Sequence, residues 1–85
     1  MSTVKIYWHG ESKNVIGPRI RQLRQAAGLT QLQLAEKLQL AGFEFDRLTV
    51  GRIETGGRFV PDYEVKALAD ALGAGVDRLF ENSGT

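Results

Sequence analysis

Residues 29–38, Leu-Thr-Gln-Leu-Gln-Leu-Ala-Glu-Lys-Leu, decide how the rest of the chain is read. Thr30 and Gln33 stand three apart, the spacing at which an N-cap hydroxyl and a side-chain amide satisfy each other's orphan backbone N–H groups at a helix start. Leu29 and Leu34 occupy the two positions that close a hydrophobic staple around such a cap. Leu34, Ala35 and Leu38 then recur at the spacing of one buried helical face. Ala35 is small where another helix would cross closely. A helix beginning at Thr30 follows, and the segments on either side are set against it.

Upstream, Gly17-Pro18 marks the start of an earlier helix, because proline's missing N–H costs nothing in a first turn. Ile16, Ile20, Leu23 and Ala27 give its apolar stripe, and Gly28 stops it. Downstream, residues 39–45 read as a connection, with Gly42 free to take an unusual backbone angle. Asp46 is a good N-cap, and Phe45 with Val50 forms a second staple. The third helix then runs from Arg47 to about Thr55, burying Val50 and Ile53, before Gly56-Gly57. Pro61-Asp62 opens a fourth, with Asp62 as its cap and Val65, Leu68, Ala69 and Leu72 as its stripe, ending at Gly73. Val76, Leu79 and Phe80 suggest a short fifth helix closing the core. The expected fold is an all-α bundle of five helices over residues 15–81, with a frayed tail at 82–85.

The first fourteen residues read as an arm. Val4, Ile6 and Trp8 alternate with Lys5 and Tyr7 as in a short strand, and Gly10, Ser12 and Asn14 break the pattern. A tail, a strand pairing with a second copy or packing on the domain, and an arm reaching nucleic acid remain open readings.

Eighty-five residues without cysteine make one small domain that neither disulfides nor thiolate-bound metal can support. No apolar run is long enough to span a membrane, and the N-terminus lacks a secretory layout, so a cytoplasmic protein is expected. The net charge of +1 hides an asymmetry. Residues 13–60 hold eight basic and four acidic side chains, a net of +4, while residues 61–85 carry −3. Most of the basic groups are arginine, whose planar fork suits phosphate and guanine edges.

Reactive groups do not gather into an enzyme site. His9 is the sole histidine, and no phosphate loop, nucleophile motif or metal-ligand spacing is present. No catalytic residue, metal or cofactor is expected. What remains is two capped helices flanking a turn, the second rich in arginine. One helix of such a pair can brace on a phosphate backbone while the other presents side chains to base edges.

In that order, residues 16–38 (IGPRIRQLRQAAGLTQLQLAEKL), 48–56 (LTVGRIETG) and 61–80 (PDYEVKALADALGAGVDRLF) resemble the Cro and C1-repressor type of helix-turn-helix, the XRE family. The resemblance implies double-stranded DNA as partner, binding as a homodimer, and a transcriptional regulator, most simply a repressor. It also implies that Gln31, with Thr30 beside it, anchors a phosphate at a helix N-terminus. Arg47, Leu48, Thr49 and Arg52 match positions facing the major groove, and Thr55 and Arg58 match a loop that holds backbone phosphates. Arg24 and Glu54 match a structural ion pair between the first and third helices. Two departures stand out. The connection before the third helix is several residues longer, as if Gly-Phe-Glu-Phe at 42–45 or a neighbouring stretch were inserted. Gly51 lies inside a helix, where it costs about 1 kcal/mol against alanine, either to allow close packing or to admit a phosphate or base edge. A second function is an interaction module or antitoxin-like domain that keeps the fold, takes a protein partner, and binds DNA weakly or not at all. Steep loss of affinity for generic duplex with rising salt separates a DNA binder from that alternative.

Overall fold

The structure, a computed structural model, describes residues 12–81. The strand-like stretch from Val4 to Trp8, His9 and the tail at 82–85 lie outside the described residues. Five helices and no strand make up the described part: α1 (Gly17–Ala26), α2 (Gln31–Leu40), α3 (Arg47–Thr55), α4 (Asp62–Leu72) and α5 (Val76–Leu79). None of them is long and apolar enough to cross a membrane.

Local chemistry accounts for most of the helix ends. Thr30 Oγ1 accepts from Gln33 N–H at 3.0 Å while Thr30 N–H donates to Gln33 Oε1 at 2.8 Å, completing the reciprocal cap of α2. Asp46 Oδ1 accepts from Thr49 N–H at 2.7 Å at the start of α3. Gly56 and Gly73 take left-handed backbone angles after α3 and α4, which only glycine adopts cheaply. At α4 the expected cap is displaced by one residue. Pro61 holds the extended backbone of the cap position and Asp62 is the first helical residue, so its carboxylate joins Glu64 in the first turn near the positive end of the helix dipole.

Fully buried Ile16, Ile20, Leu34, Leu38, Val50, Ile53, Leu68 and Leu79 form one core shared by all five helices. Burying such a side chain stabilises by about 1.5–3 kcal/mol relative to leaving it in water. The α1 stripe departs from expectation at its end. Ala27 is exposed, because the helix stops at Ala26, and the buried place one turn after Ile20 is taken by Arg24. In the last helix only Leu79 reaches the core, and Phe80 is more than half exposed. One turn of helix can aim a single side chain inward.

The connection between α2 and α3 is put to structural use. α2 continues to Leu40, so the link is residues 41–46. It turns at Gly42, buries Phe45 and half-buries Phe43 against the core. Gln39 Nε2, on the last turn of α2, donates to the Phe45 carbonyl.

The N-terminal side of the domain begins earlier than its first helix. Asn14 Oδ1 accepts from Gly17 N–H at 2.7 Å, and Asn14 Nδ2 donates to the carbonyls of Ile53 (3.1 Å) and Arg58 (2.9 Å). Lys13 N–H donates to the Gly56 carbonyl at 2.7 Å. Residues 12–14, assigned to the arm from sequence, are therefore fastened to the end of α3. At this crossing a Cβ on Gly17 would fall on the Ile53 carbonyl oxygen, with the Glu54 carbonyl 3.0 Å away. Backbone carbonyls cannot swing aside as a flexible side chain can. Gly17→Ala is expected to cost about 1–3 kcal/mol through overpacking, read as a lower urea midpoint at unchanged slope.

Candidate nucleic-acid interface

The core of the candidate site is a carboxylate. Glu54 leaves α3 toward the bundle, with its side chain 3% exposed. Its Oε2 accepts from Arg24 Nε at 2.6 Å, and its Oε1 accepts from Arg24 Nη2 at 3.1 Å and from Gln31 Nε2 at 3.0 Å. Arg24 Nη1 donates to the Leu29 carbonyl at 2.8 Å, in the turn before α2. A buried carboxylate is tolerated when donors fill its lone pairs, and here three do so from two neighbouring helices. The pair ties α1 to α3, and Gln31 extends the tie to the first residue of α2.

This network sets where Gln31 stands. Its amide lies against Gly51, where a Cβ would meet it at 3.7 Å. That is ordinary contact, so packing does not demand a glycine at 51. One N–H of the Gln31 amide is engaged by Glu54. The other, together with the unpaired backbone N–H groups of the first turn of α2, forms the donor array of a helix N-terminus. Thr30 Oγ1 accepts the Gln33 N–H and keeps its own hydroxyl proton as a donor.

On α3, buried Val50, Ile53 and Glu54 define the inner face. Leu48, Arg52 and Thr55 stand at i, i+4 and i+7 along the opposite face, with Arg47 and Gly51 beside them toward Gln31. Leu48 is 58% exposed. Arg47 and Arg52 are exposed and form no salt bridge among the described residues. The two threonines have their hydroxyl protons engaged within the helix. Thr49 Oγ1 donates to Asp46 Oδ1 at 2.8 Å, and Thr55 Oγ1 donates to the Gly51 carbonyl at 3.0 Å. Arg58 stands apart from the others. Its guanidinium forks onto Glu64 of α4 at 2.5 and 3.1 Å and lies 5.6 Å from the centre of the Phe45 ring. The Glu64 hydrogen bond raises the Arg58 pKa above its ordinary value. The structure thus groups Thr30, Gln31, Arg47, Leu48, Arg52 and Thr55 around one surface, and turns the Arg58 side chain toward α4.

Residues 15–80 match the model of a family described as a helix-turn-helix domain. The chain belongs to that family. Among solved structures, this helix-turn-helix domain is similar to the restriction-modification controller protein C.AhdI from Aeromonas hydrophila, with 38% sequence identity and a TM-score of 0.68. The likeness covers 76% of this chain and 87% of that one. No curated protein matches the chain. Among the described residues, no cluster of His, Asp and Glu is placed to hold a metal ion.

Sequence reading missed Asn14 and Glu64, and read Gly17 as a helix start without its close approach to α3. Asn14 stands three residues before Gly17, a spacing that suits an Asn capping a helix, and this was the one available signal. Nothing local marks Glu64, which is buried and whose partner Arg58 is six residues back.

Glu54→Ala would leave Arg24 buried without its acceptor, and a loss of about 3–5 kcal/mol is expected in chemical denaturation. At α3 the Thr49 backbone and side-chain hydrogen bonds hold the Asp46 carboxyl below its ordinary value of 3.8. The folded value is the lower one, so this contribution is complete above 3.8 and is lost as pH falls toward the folded value. Asp46→Asn, which keeps a capping oxygen but does not titrate, is expected to lose less stability than wild type on acidification through that window, measured by melts at stepped pH.

Proposed function

We propose that this domain is a sequence-specific double-stranded DNA-binding regulator of transcription of the Cro and C1-repressor type, acting as a homodimer with α3 in the major groove. The observation that carries this reading is the surface where Gln31, held by Glu54, stands beside the outward row Leu48, Arg52 and Thr55. The N-terminus of α2 meets a phosphate through Gln31 and Thr30, while α3 lies in the adjoining groove. Arg52 and Arg47 supply hydrogen-bond forks for guanine edges or phosphates, and Leu48 supplies apolar contact for a thymine methyl. Thr49 and Thr55 contribute methyl groups and acceptor lone pairs, because their protons are engaged. Gly51, which packing does not require, leaves room for the backbone beside Gln31.

The likeness to a restriction-modification controller supports regulation as the role. In its simplest form the dimer is a repressor that occludes a promoter. The overall charge of +1 is compatible with this, since affinity for duplex depends on the cations that meet phosphates and not on the protein total.

Selection of bound duplexes from a random library tests the proposal. A motif with two-fold symmetry and half-sites about one helical turn apart is expected. Enrichment of no duplex at moderate salt, from dimeric protein, would overturn it. Arg52→Ala is expected to weaken binding to the selected duplex by about 10- to 100-fold, with an unchanged melting temperature.

A further inference from the structure

We infer that Glu64 and Phe45 hold the Arg58 side chain as an internal brace that fixes both ends of α3, so that Glu64 governs DNA discrimination without touching DNA. The inference rests on the DNA-binding reading above and assigns Arg58 a different part in it from that of a phosphate ligand.

The brace joins three segments that share no local sequence signal. Arg58 follows the C-terminal end of α3, and its own carbonyl is held by Asn14 Nδ2 at 2.9 Å. Its guanidinium passes back to the Phe45 ring, one residue before Asp46, the cap at the other end of α3. The remaining fork is closed by Glu64, in the first turn of α4, with a further donation from Nη1 to the Phe59 carbonyl at 3.2 Å. Phe45 is 2% exposed, and the Glu64 side chain is 10% exposed. The recognition helix is therefore bracketed by one side chain, anchored below on α4.

Chemistry favours a brace over a phosphate contact. An arginine free for a phosphate has open fork hydrogens, as Arg47 and Arg52 do. Three of the five N–H donors of Arg58 are engaged, two of them on a largely desolvated carboxylate in parallel bonds, the strongest arrangement available to the pair, and one on the Phe59 carbonyl. Withdrawing the guanidinium to reach DNA would leave Glu64 charged and partly buried. The brace also gives the connection before α3 a role, because that segment carries Phe45, the ring on which the guanidinium rests.

The test uses the full chain with Glu64→Gln, Arg58→Ala and Arg58→Lys, keeping Phe45→Leu in reserve in case Glu64→Gln melts below the assay temperature. Two readouts are taken well below the melting point. Amide hydrogen exchange, without DNA, is expected to quicken at Thr49 and Val50, whose N–H groups donate to Asp46, in Glu64→Gln while amides of α1 keep their protection. Affinity for the library-selected duplex and for a scrambled duplex is measured across a salt series. Glu64→Gln is expected to lower the selected-to-scrambled ratio by about tenfold, and Arg58→Lys, which keeps the charge but not the fork, is expected to do the same. Arg58→Ala is expected to keep the wild-type salt slope on scrambled duplex. A slope reduced by about one in Arg58→Ala, with the ratio intact, would make Arg58 a phosphate ligand and overturn the inference. Unchanged exchange at Thr49 and Val50 in Glu64→Gln would overturn it as well. If wild type selects no duplex, the DNA-binding reading fails while the exchange experiment still decides whether the brace exists.

Discussion

The buried carboxylate of Glu54 is the interaction on which the arrangement of this domain rests. A desolvated charge tolerates little freedom in its partners. Arg24 must cross from α1 with its fork aligned, and Gln31 must supply the remaining donor from the start of α2. Three helices are thereby set relative to one group. Satisfying Glu54 also stations Gln31 on the surface beside α3, which makes the α2 N-terminus and the outward row of α3 parts of one face.

The distribution of satisfied and open hydrogen-bond donors then separates structure from recognition. Thr49 and Thr55 spend their protons within α3, and Arg58 spends its fork on Glu64. Arg47 and Arg52 spend none among the described residues. Exposure and residue type alone would rank these groups together, since all are polar and lie in or beside one helix. What distinguishes them is whether a partner inside the fold is close enough to complete their bonds. Within the net charge of +1, Glu54 and Glu64 neutralise Arg24 and Arg58, which leaves Arg47 and Arg52 as the cations of α3 without a salt bridge among the described residues.

The crossing of α1 and α3 shows a second kind of constraint. Gly17 lies where the backbone of α3 passes too closely for a Cβ, and Asn14 laces the carbonyls at that crossing. The polar link at Asn14 holds together a contact that apolar packing alone could not make, because the facing atoms are main-chain oxygens that need donors. The packed part of the described chain consequently includes Asn14, ahead of the first helical residue.

Much of the secondary structure was legible because it is governed by groups three or four residues apart. The cap of α2 by Thr30 and Gln33, the cap of α3 by Asp46, and the glycine stops at 56 and 73 depend on local backbone geometry, and the sequence by itself determined them. At α4 the local rule pointed to Asp62, and the extended ψ of 160° at Pro61, which proline's fixed φ does not decide, placed the cap one residue earlier. The family pattern made Gln31 and the α3 row candidates for the interface before any coordinates. Tertiary structure alone decided that Arg58 turns inward to Glu64, that Asn14 belongs to the domain, and that residues 41–46 bury Phe45. Each depends on how helices cross, and that is set by core packing between residues distant in the chain, which local spacing does not encode.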